Sequence, residues 1–196
     1  MKGHVPSYDL RSARSLGEAL GYLKDPQWKP FAGGSDLMVE LESGRLDHRQ
    51  FVSIDRIAEL KTLTESEQSL RVGAAVTYGE LQQSSVIQSE FPNLVAAGRE
   101  TGGPAIQNRG TIGGNIANAS PAADTPPALL CYDAELELQS EEGGERRVSY
   151  NEFHLGYKEI ALRPGELITA IILPRTKQKR WHYYRKVGTR KVPTLR

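Results

Sequence analysis

Apolar and polar positions change rhythm along the chain. Leu16, Ala19, Leu20 and Leu23 recur at helical spacing behind a Ser15–Glu18 capping box, which predicts a short helix closed by Asp25-Pro26. "WKPFAGGSDL" reads as a strand running into a glycine turn. Ser35 or Asp36 is the expected N-cap of a following helix through Leu37, Met38 and Leu41, which Gly44 stops. "QFVSIDRI" is a second strand. This alternation over about the first 55 residues predicts a small α/β lobe.

The pattern then shifts to period two. Leu70, Val72, Ala74 and Val76 alternate as a strand with one buried face. Thr77 and Glu80 form a second capping box, for a helix over "YGELQQSSVI". Pro92 and Gly102-Gly103 bracket a further helix reaching about Glu100. "AELELQS" and "RRVSY" read as strands joined by the turn "EEGGE", and "ELITAIILP" as another whose Leu167 to Leu173 run is buried. Together these predict an antiparallel sheet with helices to one side, an α+β lobe. The last stretch, 175–196, carries nine Lys or Arg and no Asp or Glu, which admits a nucleic-acid or membrane-binding tail. Aromatics alternate with charge in "RWHYYRKV" at strand spacing, which favours a solvated strand instead.

Composition narrows the function classes. Hydrophobic residues make up 38% and charged residues 25% of 196, a soluble globular balance. No apolar run approaches the roughly 20 residues that span a bilayer, and "MKGHVPSYDL" has no apolar core of a secretory signal, so no membrane role and a cytoplasmic location are expected. A net charge of +1 argues against a protein built to hold nucleic acid. The one cysteine, Cys131, cannot supply an iron–sulfur cluster, and His4, His48, His154 and His182 have no metal-ligand spacing. No metal site is expected in this chain, and redox chemistry would need an organic cofactor. Cys131 itself, within "ALLCYDAEL", reads as a small buried hydrophobe.

Two glycine-pair segments, "FAGGSDL" and "TIGGNIAN", each follow a strand-like run. Glycine admits positive φ and close backbone approach, so successive N–H groups can converge on an anion such as a pyrophosphate. A helix N-terminus after the first loop would add its dipole. A lone Gly-Gly is also an ordinary turn or helix end, the role expected of Gly102-Gly103. Neither a P-loop lysine pattern nor G-x-G-x-x-G occurs, which excludes a Walker ATPase and an ordinary dinucleotide fold. A bulky residue at Gly113 or Gly114 is expected to release the ligand and spare the fold.

"FAGGSDLMVEL" and "TIGGNIANASPAADTPPALLCYDAELEL" resemble the two signature segments of the FAD-binding (medium) subunits of molybdenum hydroxylases, of the xanthine dehydrogenase and aerobic carbon monoxide dehydrogenase type. The likeness runs from "YDLRSARSLGEAL" through "LITAIILP" to "YYRKVGTRK". It implies an α+β, two-lobed FAD-binding fold of the vanillyl-alcohol-oxidase (PCMH) type. The FAD domain would occupy 1–176, lobe one 1–56 and lobe two 57–176. Residues 177–196 would be the start of a further C-terminal domain, cut short.

The resemblance also implies a site. Ala32, Gly33, Gly34, Ser35 and Asp36, with Leu37 after them, would wrap one side of the pyrophosphate, and Thr111, Ile112, Gly113, Gly114 and Asn115 would close the other. Asp124 matches a carboxylate that contacts the cofactor, Ile168 an apolar contact and Lys186 a basic one. Thr101 falls where some relatives place an aromatic beside the flavin. From the residues alone, Asp124 can equally cap a helix at Thr125-Pro126-Pro127, Ile168 can be plain core, and Lys186 a surface cation. No general acid or base is assigned. By resemblance, electrons would come from a large molybdopterin-binding subunit through 2Fe-2S clusters on a small subunit to this FAD, and pass to NAD or another acceptor. A free-standing flavin oxidase or dehydrogenase and a non-catalytic module without flavin are the alternatives.

Overall fold

A computed structural model describes residues 7–178 and 180–187 of the chain. His4 and the part of the expected C-terminal segment at 179 and 188–196 therefore lie outside the described residues.

Lobe one is a three-stranded parallel sheet with helical crossovers. Its order is β1 (Asp9–Ser12), β3 (Gln50–Ser53), β2 (Trp28–Phe31), with Phe51 of central β3 opposite both Leu10 and Lys29. Parallel neighbours need a crossover. Helices α1 (Leu16–Leu23) and α2 (Ser35–Glu42) supply the two. In α1 the Ser15 hydroxyl accepts from the Glu18 N–H at 3.2 Å, and Ala19, Leu20 and Leu23 are buried. Helix α2 begins one residue earlier than the side-chain pattern implies. Its N-cap is Gly34, at φ 73°, rather than Ser35 or Asp36, and it buries none of its residues. β1 had no signal of its own in the sequence, since "DLRS" shows neither alternation nor an apolar run.

Lobe two is a five-stranded antiparallel sheet ordered β4 (Leu63–Glu65), β5 (Ser69–Gly73), β10 (Leu167–Pro174), β6 (Glu135–Ser140), β7 (Gly144–Ser149). The predicted apolar run becomes the central strand β10, buried from Leu167 to Leu173. The expected helix over "YGELQQSSVI" is two, α3 (Tyr78–Gln83) and α4 (Ser85–Glu90), because the Ser84 hydroxyl accepts the Ile87 N–H and starts a new helix. With α5 (Pro92–Glu100) and α8 (Pro126–Cys131) they pack Leu81, Ile87, Leu94 and Leu129 into the same core as Leu70, Leu136 and Ile171 of the sheet. α6 (Pro104–Gln107), α7 (Ile112–Asn118) and the small pair β8 (His154–Gly156) and β9 (Glu159–Ile160) complete the lobe. No helix among the described residues is long and apolar enough to cross a membrane.

A second core cluster joins the lobes. Ala19, Leu20, Leu23, Val52 and Ile54 of lobe one bury against Ile57, Leu60, Ala75 and Leu167. Oily contact of this kind holds two lobes at a fixed angle, because separating them would return all of that surface to water.

Two sequence expectations fail for one reason, a helix or coil where period-two logic or composition pointed elsewhere. Residues 180–187 form no strand among the described residues. They run without regular secondary structure across the ends of α5 and α8. His182 meets the Tyr132 hydroxyl, Tyr184 donates to the Asp124 carbonyl, and Trp181, Tyr183 and Val187 face outward. The alternation is real, but its inner face lies on helices rather than in a sheet. Cys131 is exposed, not buried. At the end of α8, Ala128 and Leu129 take the inward positions, and the helical period turns Leu130 and Cys131 out.

Across the outer part of the large sheet, Glu137 of β6 is buried between two arginines. It accepts from Arg71 Nη2 at 2.6 Å and from Thr169 Oγ1 at 3.2 Å, with Arg147 Nη2 at 3.6 Å. Burial pushes this carboxyl up, but the hydrogen bond and charge of Arg71, with Thr169 and Arg147, outweigh it and hold the group below the ordinary glutamate value. A depressed folded-state pKa stabilises the fold above the unfolded value, and that contribution is lost as pH falls through the folded one. Arg71→Met, which leaves Glu137 buried beside a more distant cation, should therefore cost about 3 kcal/mol at neutral pH. Urea melts should show the gap to wild type narrowing through the acid range, and a pH-independent gap would contradict the pairing. Gly17 offers a control in the opposite direction. It sits exposed in α1 with open space where a Cβ would project, so Gly17→Ala should stabilise by about 0.5–1 kcal/mol in the same melts.

Candidate functional site

Between the lobes lies a cleft of about 750 Å³, within the range of roughly 300–1,000 Å³ that holds small molecules and cofactors. It is lined by the loop after β2, the N-terminal turn of α2, the segment from Gly110 through α7 to Asp124, and the approach to β10. Every residue named from the sequence lines it except Ile112 and Lys186.

The first loop is built for close approach. Gly33 lies against the opposite lobe so tightly that a Cβ there would sit 1.8 Å from the Arg109 carbonyl oxygen. Gly34 adopts positive φ, and a Cβ on it would meet the Phe31 ring at 2.7 Å. Because Gly34 has no side chain, α2 starts without a side-chain cap. Among the described residues the N–H groups of Ser35, Asp36 and Leu37 have no hydrogen-bond partner, and they stand at the cleft wall. These groups and the aligned helix peptides make the wall attractive to an anion.

The second segment departs from its expected form. "TIGGNIAN" is no open loop: Thr111 caps helix α7, accepting the Gly114 N–H on its hydroxyl at 3.1 Å. The other N–H groups are also engaged. Ile112 donates to the Val76 carbonyl at 3.0 Å, Gly113 to the Ala74 carbonyl at 2.9 Å and Asn115 to the Thr111 carbonyl at 3.0 Å. Glycines are poor helix formers. Here they are required because Gly113 packs on Ala74, where a Cβ would come within 2.6 Å of the Ala74 Cβ. Gly113 is therefore a packing residue, and a bulky substitution there disturbs the core before it disturbs the cleft. Ile112 is fully buried in the lobe-two core and presents no surface to the cleft. What this segment offers the cleft is the exposed Gly114 and the side chain of Asn115, with Thr111, Gly113, Ala117 and Asn118 beside them.

The charged groups divide by lobe. Asp36 projects from α2; partial burial, then the neighbouring Glu40 carboxylate, raise its pKa, while the Lys158 charge pulls it down. Asp124 does not cap α8, whose N-cap is Thr125. Its carboxylate accepts from Lys186 Nζ at 2.9 Å, and the same ammonium donates to the Glu100 carbonyl at 3.1 Å. Lys186 thus reaches the site through Asp124 rather than by lining it. Thr101 ends α5 at the cleft and returns its hydroxyl to the Ala97 carbonyl at 2.9 Å, so no ring stands there. Ile168 lines the cleft beside a register shift in β10, between Ile168 and Ala170, that re-aims the strand at this point.

Sequence reasoning missed several lining residues: Tyr78, Ile106, Ile160, Leu162 and Glu166. Ile160 and Leu162 sit in "EIALRPGE", which has no periodic or motif signal. Glu166 is fixed by a two-pronged pair with Arg146, at 2.6 and 2.7 Å, and Arg146 also holds the Ala161 carbonyl at 2.7 Å. That ties down the segment carrying Leu162. Such a tie depends on residues twenty positions apart and is invisible before folding.

Residues 6–176 match the model of a family described as the FAD binding domain in molybdopterin dehydrogenase. The chain is 39% identical over 164 residues to a xanthine dehydrogenase FAD-binding subunit of Escherichia coli O157:H7, covering 83% of this chain and 56% of that protein. It is 30% identical over 186 residues to the carbon monoxide dehydrogenase medium chain of Hydrogenophaga pseudoflava, covering 93% and 64%. In three dimensions it is similar to a chain of quinoline 2-oxidoreductase from Pseudomonas putida 86, with a TM-score of 0.83 at 28% identity, covering 90% of this chain and 61% of that one. The chain thus spans less than two thirds of the length of each of these proteins. Its α+β architecture is similar to that of the quinoline 2-oxidoreductase chain, and the chain belongs to the family of FAD-binding domains of molybdopterin dehydrogenases.

Proposed function

We propose that the cleft holds FAD, and that the chain is the flavin-bearing part of a molybdenum hydroxylase that relays electrons from partner subunits to an acceptor. The observation that carries this reading is the open first turn of α2, capped only by Gly34, facing a cleft of cofactor size in a chain of this family. Ala32, Gly33 and Gly34 bring backbone close to the guest, and the N–H groups of Ser35, Asp36 and Leu37 receive its pyrophosphate. Across the cleft, Gly114 leaves room and the Asn115 amide and Asp124 carboxylate meet the cofactor's acceptors and hydroxyls. Ile168 and Thr101 border the same space. Ile112 supports this wall from the core, and Lys186 steadies Asp124.

When bound, FAD supplies reversible uptake of electrons, a chemistry that amino-acid side chains lack. The chain's own residues bind, orient and shield it. These 196 residues hold one cysteine, too few for an iron–sulfur cluster. The partners we infer are accordingly a small 2Fe-2S subunit and a large molybdopterin-binding subunit, with NAD or another molecule as final acceptor.

The purified chain should take up FAD one to one and carry the yellow of oxidised flavin. A preparation that stays colourless after titration with FAD would overturn the reading. Gly33→Ala should weaken FAD binding by about ten- to a hundredfold, because the added methyl forces the lobes apart at Arg109. An unchanged dissociation constant in a fluorescence titration would show that this contact does not set the cleft.

A further inference from the structure

One fully buried threonine stands directly behind the cleft wall. Thr125 is 0% exposed and heads α8, yet its side chain makes no cap bond to that helix. Its hydroxyl is spent on α7 instead, donating to Asn115 Oδ1 at 2.5 Å. Asn115 lines the cleft, and its Nδ2 makes no hydrogen bond among the described residues and is not buried. An unrestrained amide can rotate to show either its carbonyl or its NH₂ to a ligand. The bond to Thr125 removes that choice.

The direction of the bond follows from the groups themselves: Asn115 Oδ1 is an amide oxygen and only accepts, so the Thr125 hydroxyl donates. Tyr78, itself buried, places its hydroxyl beside Thr125. Asp36, Glu40, Asp124 and Glu166 already place four carboxylates at this cleft, so a donor has a use against an anionic guest.

We propose that Thr125 is a positioning residue: by holding Asn115 Oδ1 it turns the Nδ2 hydrogens into the cleft, where they donate to an acceptor oxygen of the bound flavin nucleotide. The proposal rests on the cleft being an FAD site. A wild-type chain that binds no FAD would refute that reading; the variants below test the positioning alone.

The apo chain is titrated with FAD and binding followed by flavin fluorescence. Thr125→Val, which keeps shape and loses the donor, should weaken binding about five- to tenfold, and Thr125→Ser should restore it. In an Asn115→Ala background Thr125→Val should have no further effect on affinity. Wild-type affinity in Thr125→Val, or the same loss with and without Asn115, would overturn the proposal. If Thr125→Val does not fold, Asn115→Asp decides. It still accepts from Thr125 but presents oxygen to the cleft, so it should bind FAD more weakly than Asn115→Ala. Equal or tighter binding would overturn the proposal as well.

Discussion

The carbonyl oxygen of Arg109 occupies the space into which any residue but glycine would project a Cβ at position 33. That contact sets how near the two lobes stand, and the rest of the cleft follows from it. Lobe one brings the uncapped first turn of α2, and lobe two brings the segment from Gly110 to Asp124. Their shared core of Leu20, Val52, Leu60 and Leu167 fixes the angle between them. A flexible linkage would spend binding energy on ordering the lobes; a packed one leaves the walls in place beforehand.

The two glycine pairs look alike in sequence and do different work. Gly34 leaves the first turn of α2 without a side-chain cap and Gly33 seats one lobe on the other at Arg109, whereas Gly113 packs within its own lobe against Ala74. Donors on the first side are backbone groups at a helix start, and donors on the second are delivered by side chains such as Asn115, because the amides of 112–115 are already bonded within the lobe. Division of this kind lets one wall be tuned by substitution while the other is fixed by main-chain geometry.

Much of this was legible in the sequence. Capping residues marked α1 and α3, Pro92 and Gly102 bracketed α5, alternation marked β5, and an unbroken apolar run marked β10. These signals are local, and the residues that make them are close neighbours in the chain. The failures need long-range information. α7 forms in spite of two glycines because Ala74 and Val76 accept its first N–H groups, a partnership across nearly forty residues. β1 exists only as a parallel partner of β3. The segment 180–187 alternates because one face lies on Tyr132, Asp124 and Glu100, and nothing in "RWHYYRKV" says whether that support is a strand or a pair of helices. In the site, motif residues were found and the supports behind them, Thr125, Tyr78 and Arg146, were not, since a support is defined by what it touches.

A crystal structure of the chain grown with FAD tests the central claim most directly. The account predicts pyrophosphate oxygens within about 3.2 Å of the amide nitrogens that open α2, between Gly34 and Leu37, with Gly33 still seated on the Arg109 carbonyl. Pyrophosphate bound out of reach of those amides, or lobes parted at Gly33 around the cofactor, would contradict it.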